Sequence, residues 1–314
     1  MNYNSPIARK LPSAITLKCD FQWLGKCFIL SYTIRELVKQ ALKEDIGKRD
    51  ITTELVIPRE KFSRAIILAK EGCVVCGLKV AESVFKTKDK KLQFRALVKD
   101  GRFVKRGKIL AQVQGKTWSI LTAERVALNF LSLLSGIATK TRLYVKAVKP
   151  YKVKIMDTRK TIPGLRELEK YAVRIGGGYN HRLKLDEMIL IKDNHIQVIG
   201  HRSWVIGLKE IRKKILPQTK IEVEVKNLKE FKQVLEINPD IIMFDNMSVK
   251  DIKKAVKIRN NLRPKTKDLI PKLEASGGIT LENIKKIAAS GVDMISIGEL
   301  TDSVKSADIS LEVL

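Results

Sequence analysis

The chain has 314 residues, of which 44% are hydrophobic and 30% are charged, and its mean hydropathy is −0.10. This length exceeds what one simple core needs and suits two packed units of a globular protein. Its apolar runs are far shorter than the roughly 20 residues of a membrane-spanning helix, so we expect no membrane partner.

The formal net charge of +27 is extreme. Such a charge favours anionic partners, and both nucleic acid and small phosphates or carboxylates qualify. Lysines occur in almost every predicted helix, and aromatic residues make up only 6% of the chain. That distribution favours a generally basic surface over a stacking platform for nucleic acid, so we expect no specific nucleic-acid partner.

Residues 1–30 have the features of neither a secretory signal nor a transit peptide, and we interpret them as a poorly ordered extension of a cytoplasmic protein. Cys73 and Cys76 have the spacing of half a zinc site, but they lie in an apolar, strand-like run. The other two cysteines, Cys19 and Cys27, fall in the extension. The pattern therefore predicts buried, reduced thiols.

The segment before residue 117 predicts a helix beside a mostly antiparallel sheet, which is typical of an α+β unit. Residues 33–43 place apolar side chains on one helical face, and the polar residues 45–53 predict a loop. Strand-like runs occupy residues 64–70, 73–77, 92–98 and 109–114, with a helix at 78–85 between them.

From Trp118 onward, a long amphipathic helix is followed by alternating strands and helices. Strands are predicted at residues 153–156, 188–191, 221–225, 241–244, 272–275 and 294–297, and helices at 228–235, 249–259 and 281–289. Regular alternation implies parallel strands, and this number of units predicts an α/β barrel or near-barrel.

Charged or small residues follow nearly every one of these strands, at the end where α/β barrels place their active sites. The segment Ser276-Gly277-Gly278 precedes a helix expected near Thr280, and Ser296-Ile297-Gly298 follows the last strand. Small residues let backbone N–H groups approach a phosphate, while a helix dipole favours the anion. Two such loops on successive strands predict a phosphate site.

The earlier strands end in cations, with Arg159, Lys160, Arg182 and Lys192 bracketed by apolar strands and glycines. Arginine binds planar carboxylates through two N–H groups, so this set suits a dicarboxylate or a second phosphate. A Schiff-base lysine at a barrel strand end is an alternative interpretation of Lys192.

The middle strands end in the acids Glu224 and Asp245, which suit ribose hydroxyls, magnesium on a diphosphate, or positive charge developing on a sugar carbon. Glu222 is the weaker candidate, and we expect the strand's register to decide which of Glu222 and Glu224 faces inward.

Nine short motifs follow one another along the chain: Leu121-Thr122-Ala123-Glu124-Arg125, Ser135-Gly136-Ile137-Ala138-Thr139, Asp157-Thr158-Arg159-Lys160-Thr161, Pro163-Gly164-Leu165-Arg166, Gly176-Gly177-Gly178-Tyr179-Asn180-His181-Arg182, Ile191-Lys192-Asp193-Asn194-His195, Glu222-Val223-Glu224-Val225, Asp245-Asn246 and Ser276-Gly277-Gly278-Ile279. In this order they resemble the signatures of the quinolinate phosphoribosyltransferase family, over about residues 33–314.

The resemblance implies an incomplete, TIM-like α/β barrel with an N-terminal α+β sandwich domain. The sandwich would span residues 31–135 and be joined by the C-terminal segment at about 303–314, and the barrel would span 136–302. It also implies a homodimer, or a hexamer of dimers, in which one subunit's N-terminal part covers the other's barrel mouth. Arg125 would reach the substrate, plausibly across that interface.

The resemblance further implies phosphoribosyl transfer from phosphoribosyl pyrophosphate to quinolinate with decarboxylation, giving nicotinate mononucleotide, pyrophosphate and CO2. The catalytic residues would be Glu224, Asp245, Lys160 and Lys192. Glu224 and Asp245 would also hold, through water, the Mg²⁺ bound with the pyrophosphate, and no organic cofactor is expected. The implied substrate-binding residues are Arg125, Thr158, Arg159, Lys160, His181, Arg182, Lys192, Glu224, Asp245, Ser276, Gly277, Gly278, Ser296, Ile297 and Gly298.

The sequence departs from the family's pattern at Lys48-Arg49, Lys184, Glu187 and Glu299. Glu299 lies beside the second phosphate loop, where the family has a small residue, so the contacts there are open. A related phosphoribosyltransferase with another acceptor, such as nicotinate, is the nearest alternative, followed by the Schiff-base enzyme and a basic nucleic-acid-binding protein.

Overall fold

The structure is a computed structural model that describes residues 32–199, 211–212, 214–216, 218–262 and 270–314. The extension predicted at residues 1–30 lies outside the described residues. In the described part, strands form a four-stranded antiparallel sheet, a six-stranded parallel sheet and a separate antiparallel pair.

The antiparallel sheet is built around residues of the first half of the chain. Its order is β12-β1-β5-β3, and β2 pairs with β4 outside it. The elements in this half are α1 (Tyr32–Ile46), α2 (Ile51–Val56), β1 (Phe62–Ala69), β2 (Cys73–Val74), α3 (Leu78–Lys88), β3 (Gln93–Ala96), β4 (Phe103–Val104) and β5 (Ile109–Lys116).

The loop predicted at residues 45–53 is wrong in its second half, because α2 begins at Ile51. The helix starts there because Asp50 acts as its N-cap: Asp50 Oδ1 accepts a hydrogen bond from the Thr53 N–H at 3.0 Å. The other oxygen, Oδ2, accepts from Thr122 Oγ1 at 3.0 Å. One carboxylate therefore caps a short helix and ties it to the helix that follows β5.

The last strand of the chain, β12 (Ile309–Val313), belongs to this sheet and not to the parallel one. It pairs antiparallel with β1, with Ile67 opposite Leu311 and Ala69 opposite Ile309. The chain thus returns to its first unit after completing the second.

The helix α4 (Thr117–Ala147) connects the two units and packs against α3, α5 and β12. It is the one described helix that is long and apolar enough to cross a membrane, yet 67% of its most apolar stretch is buried within the protein. Its apolar residues therefore serve as core. Gly136 lets the backbone of residues 305–306 approach, since a Cβ there would lie 2.3 Å from the Lys305 carbonyl oxygen.

The parallel sheet has the order β6-β11-β10-β9-β8-β7, and Tyr179 adds a single bridge beside Met156 of β6. Because β6 pairs with β11, the last strand of the series, the sheet curls into a barrel, which the described strands leave open between β7 and the Tyr179 segment. Its elements are β6 (Lys154–Met156), α5 (Arg166–Gly176), β7 (Ile189–Ile191), α6 (Asp193–Ile199), β8 (Ile221–Val225), α7 (Leu228–Leu235), β9 (Ile241–Asp245), α8 (Val249–Asn260), β10 (Lys272–Ser276), α9 (Ile284–Ala288), β11 (Met294–Ser296) and α10 (Glu299–Asp302).

The fold is thus the predicted incomplete α/β barrel with an N-terminal α+β domain. The helix expected near Thr280 begins later, at Ile284, because Thr280 and Asn283 first form a turn through reciprocal side-chain hydrogen bonds. Inside the barrel, Met156, Met188, Ile241 and Met294 pack together as an apolar floor.

Candidate functional site

All six parallel strands end at one edge of the barrel, which brings the residues that follow them together. The register places Ser276 beside Asp245 and beside Ser296. This edge carries the predicted site residues that follow β6, β7, β8, β9, β10 and β11, and the loop after Tyr179 contributes His181 and Arg182.

The arginines Arg159 and Arg182 form the most unusual feature of this edge. Each has a buried Nε that meets no hydrogen-bond partner among the described residues. Burial lowers the pKa of Arg182, and the positive charge of Arg159 lowers it further, so the two guanidinium groups lie close enough to repel. Arg182 is fixed by one hydrogen bond, from Nη1 to the Met188 carbonyl oxygen at 3.0 Å. Two half-buried arginines whose enclosed Nε–H groups have no protein acceptor in the described part of the chain favour an anionic ligand.

Lys192 and Glu224 form an ion pair at the mouth of the barrel. The Nζ–Oε2 distance is 2.9 Å, and Glu224 is 7% exposed. The ion pair engages the Lys192 amine, whereas Schiff-base chemistry needs that amine free to attack a carbonyl carbon. A second pair beside it, Lys226 with Asp193 at 2.7 Å, was not anticipated from the sequence.

The loop that carries His181 and Arg182 is anchored by a buried ion pair between Asp157 and Lys170. Their side chains are 0% and 1% exposed. Asp157 also accepts from Asn180 Nδ2 and from the His181 N–H at 2.9 Å, and Lys170 Nζ donates to the His181 carbonyl oxygen at 2.9 Å. Lys170 was not predicted as a site residue, although it lies among the buried residues of α5, next to Leu168, Ala172 and Val173.

Glu222 and Glu224 both face the barrel interior, so the expectation that register selects one of them was wrong. Residues two apart on a strand point to the same side. Glu222 lies one step deeper, is fully buried, and its Oε2 is 2.9 Å from His181 Nε2. Glu274 lies 3.7 Å from the same nitrogen and accepts a hydrogen bond from Ser296 Oγ. Burial raises the pKa of both Glu222 and Glu274 to about 8.

The first predicted phosphate loop adopts a conformation that only glycine tolerates well. Gly277 and Gly278 have φ angles of +86° and +58°, and a Cβ on Gly277 would lie 2.4 Å from Asn246 Oδ1. Asn246 Nδ2 in turn donates to Asp245 Oδ1 at 3.1 Å. The loop is therefore packed against the acid at the end of β9.

The second predicted phosphate loop differs from expectation in its first two residues. Ser296 Oγ donates to Glu274, and the Ile297 N–H donates to the Met156 carbonyl oxygen at 3.0 Å, so the protein itself uses both donors. Only Gly298 stays a phosphate-loop prediction. A Cβ there would lie 3.0 Å from Lys160 Cδ, which shows that Lys160 crosses this loop.

Glu299 does not point at a ligand from that loop. Its carboxylate accepts a hydrogen bond from the Tyr144 hydroxyl, and Oε1 lies 3.4 Å from Lys140 Nζ. Burial raises the pKa of Tyr144, and the Glu299 contact raises it further. The larger side chain of Glu299 is thus accommodated by its contacts with Tyr144 and Lys140 of α4.

Arg125 and the cysteines lie apart from these contacts. Arg125 is exposed on α4, and within the described part of the chain no hydrogen bond or ion pair joins it to the barrel mouth. Cys73 and Cys76 are buried and free, as predicted, and burial raises the pKa of Cys73 to about 11. Cys19 and Cys27 lie outside the described residues.

A parallel barrel with cations, acids and a glycine loop at its carboxyl edge is typical of an α/β-barrel enzyme that acts on anionic substrates. The chain matches the N-terminal domain of quinolinate phosphoribosyl transferase over residues 50–135 and the C-terminal domain over residues 137–312. It therefore belongs to the quinolinate phosphoribosyl transferase family.

Relatives agree with this assignment along nearly their whole length. A probable carboxylating nicotinate-nucleotide pyrophosphorylase of Methanocaldococcus jannaschii is 43% identical over 281 residues, which cover 89% of this chain and 96% of the relative. The chloroplastic carboxylating enzyme of Arabidopsis thaliana is 41% identical over 300 residues, covering 90% and 83%. The structure of nicotinate-nucleotide pyrophosphorylase from Francisella tularensis superimposes with a TM-score of 0.83 at 40% identity, covering 90% of this chain and 96% of that one.

Proposed function

We propose that the chain transfers the phosphoribosyl group of phosphoribosyl pyrophosphate to quinolinate and releases CO2, pyrophosphate and nicotinate mononucleotide. The observation that carries this proposal is the pair Arg159 and Arg182, whose buried Nε–H groups have no protein acceptor among the described residues. A pyridine dicarboxylate supplies two planar anionic groups to such a pair. The names of the relatives point to the same reaction.

Quinolinate would bind with its carboxylates toward Arg159 and Arg182, and Lys192 at the neighbouring strand end would complete the cationic pocket. Thr158 and His181 belong to the two loops that frame it. Lys192 Nζ lies 2.9 Å from Glu224 Oε2. To contact the substrate, Lys192 would have to bind it together with Glu224 or break this ion pair. Arginine is the stronger partner because its fork matches a carboxylate with two parallel N–H groups.

Glu224 and Asp245 would face the ribose of the second substrate. As the pyrophosphate leaves with the electron pair of its bond to the sugar carbon, that carbon gains positive charge, which fixed carboxylates stabilise. The pyridine nitrogen then bonds to the carbon and becomes cationic. The electrons of the bond to the adjacent carboxylate move into the ring, CO2 departs, and the ring carbon takes a proton.

Mg²⁺ bound with the pyrophosphate fits the donor set at this edge, because Glu224 and Asp245 present carboxylate oxygens next to a glycine loop. The ion would neutralise the leaving group, and the two acids would hold it through water. Lys160, Ser276, Gly277, Gly278 and Gly298 would contact the phosphates. No organic cofactor is required, since the cationic pyridine ring accepts the electrons released by decarboxylation.

We also propose that the active enzyme is a homodimer, or a hexamer of dimers, in which Arg125 reaches the partner's site. The exposure of Arg125 on α4 supports this arrangement, because an arginine at that position has no anionic partner at its own barrel mouth in the described residues. The N-terminal domain of residues 31–135, with residues 303–314, would cover the neighbouring barrel of residues 136–302.

The test is a coupled assay of the purified chain with quinolinate, phosphoribosyl pyrophosphate and Mg²⁺, with the product identified by mass. Nicotinate replaces quinolinate in a parallel reaction, because it lacks the carboxylate at the 2-position. We expect nicotinate mononucleotide and CO2 from quinolinate and at most a trace of product from nicotinate. Equal rates with both acceptors would contradict the assignment of the dicarboxylate pocket.

A further inference from the structure

We propose that Glu222 and Glu274 are positioning residues of the quinolinate pocket, which hold the His181 ring and through it the backbone of Arg182. This inference rests on the proposed function. Both acids are fully buried, and both lie one step below the mouth residues Glu224 and Ser276 on the same strands. The reaction described above uses neither of them.

The His181 ring connects these acids to the substrate loop. Its Nε2 lies 2.9 Å from Glu222 Oε2, and its Nδ1 lies 2.9 Å from the Arg182 backbone N–H. An N–H that points at Nδ1 requires an acceptor there, so the ring proton must be on Nε2, directed at Glu222. The ring therefore bridges β8 and the start of Arg182 in one fixed tautomer.

Glu274 supports the same ring from the other side, 3.7 Å from Nε2, and is itself held by Ser296 Oγ. Removal of either acid would free the ring to turn, and the orientation of Arg182 would then rest on its single hydrogen bond to the Met188 carbonyl oxygen. A small displacement of a carboxylate-binding group is costly because bidentate contacts depend on geometry.

This arrangement carries a stability cost that a purely structural core would avoid. Glu222 Oε1 and Glu274 Oε2 are buried and have no hydrogen-bond partner among the described residues. One ligand atom of each acid lies within 4.8 Å of the other and of His181. Replacement of a buried acid that lacks part of its hydrogen bonds by an apolar group of similar volume removes the cost of the unpaired oxygen. We therefore expect stability and substrate binding to respond in opposite directions.

His181, Glu222 and Glu274 also have the ligand atoms that a metal cation needs, but their contacts favour a role in positioning the His181 ring. The 2.9 Å contact between His181 and Glu222 is a complete hydrogen bond, and Ser296 already donates to Glu274. The positive charges of Arg182 and Lys192 also act on Glu222, so that acid has cationic neighbours without a metal ion. A tightly bound ion is instead one of the outcomes that the experiment distinguishes.

The experiment compares Glu222→Gln, Glu222→Met and Glu274→Gln with the exposed control Glu236→Met. For each variant, KM for quinolinate, KM for phosphoribosyl pyrophosphate and the thermal midpoint are measured. We expect Glu222→Met to raise KM for quinolinate about 10-fold, the equivalent of one lost hydrogen bond, with the other KM unchanged and the midpoint equal or higher. Glu222→Gln keeps an acceptor for Nε2–H and should largely restore binding.

Nitrogen NMR of the three histidines gives a readout that does not depend on turnover. His181 should show a single Nε2–H tautomer in the wild type and a mixture in Glu222→Met. An unchanged quinolinate KM in Glu222→Met, an equal rise in both KM values, or a stoichiometric metal ion that Glu274→Gln removes would each overturn the proposal. A wild type that does not turn over quinolinate, yet shows the predicted tautomer, would refute the proposed function and leave the ring geometry intact.

Discussion

Lys170→Met tests how the buried pair with Asp157 supports the substrate loop. The lysine is 1% exposed, and its ammonium group donates to Asp157 and to the His181 carbonyl oxygen. Methionine fills a similar volume but removes both hydrogen bonds and leaves a buried carboxylate. Asp157 would keep two donors, from Asn180 and from the His181 backbone.

Removal of one partner of a buried ion pair typically costs about 3–5 kcal/mol, and the two remaining donors place this case near the lower end. For a chain of 314 residues, with an unfolding entropy of about 2.1 cal/mol/K per residue, about 3 kcal/mol corresponds to a fall of roughly 4–5 °C in the thermal midpoint. The matched control is Lys254→Met, because Lys254 is 54% exposed and pairs with Asp251 at 3.4 Å on the surface of α8. We expect the control to lose about 0.5 kcal/mol or less.

Differential scanning calorimetry and urea unfolding measure both variants, and quinolinate binding is measured by calorimetric titration. The double variant Lys170→Met with Asp157→Asn also removes the negative charge of Asp157. Its loss in free energy of unfolding should therefore be smaller than the sum of the losses of the two single variants. If Lys170→Met destabilised the protein no more than Lys254→Met, the pair would not anchor the loop, and our account of how His181 and Arg182 are held would fail.

Three further predictions concern the site and its surroundings. Arg182→Ala and Lys192→Ala should each weaken quinolinate binding by about 1.5–3 kcal/mol while changing the thermal midpoint little. Unchanged quinolinate affinity in both variants would contradict the assignment of these residues to the quinolinate pocket. Glu224→Gln and Asp245→Asn should lower turnover about 10²–10³-fold with a smaller effect on quinolinate affinity. A Mg²⁺ titration should recover part of the turnover lost in Asp245→Asn. Near-normal turnover in both variants would show that the two acids are structural. Burial raises the pKa of Glu169 from 4.5 to about 7, so the stability that this side chain contributes is complete below pH 4.5 and is lost as the pH rises through 7. The thermal midpoint of Glu169→Gln should therefore rise relative to that of the wild type between pH 4.5 and 7. A constant difference between the two midpoints would contradict the pKa shift.

The parallel barrel could be predicted from sequence because its signal is local. Most strands of the second half are short apolar runs followed by polar residues and then by a helical pattern, as with residues 241–244 and 249–259. The parallel direction of the strands follows from their regular alternation with helices. The strand-end residues Arg159, Lys192 and Asp245 could therefore be assigned to one edge before any coordinates were known.

The N-cap role of Asp50 and the later start of the helix after Ser276-Gly277-Gly278 were not predicted. Both depend on a few side-chain hydrogen bonds, namely the one that Asp50 accepts from the Thr53 N–H and the two between Thr280 and Asn283. Periodicity of apolar residues does not report such bonds, since the same residues are compatible with a loop.

By itself, the sequence determined the parallel barrel and the sheet edge at which the residues after each strand lie. Only the tertiary structure decided which polar residues are buried and what they contact. Lys170 and Glu274 were not predicted as buried and Glu222 was only the weaker candidate, yet all three side chains are buried. A buried charge is stable only where particular donors or acceptors converge on it, and these come from segments distant in sequence. Local patterns therefore place the site, while the packing of distant strands determines how it is held.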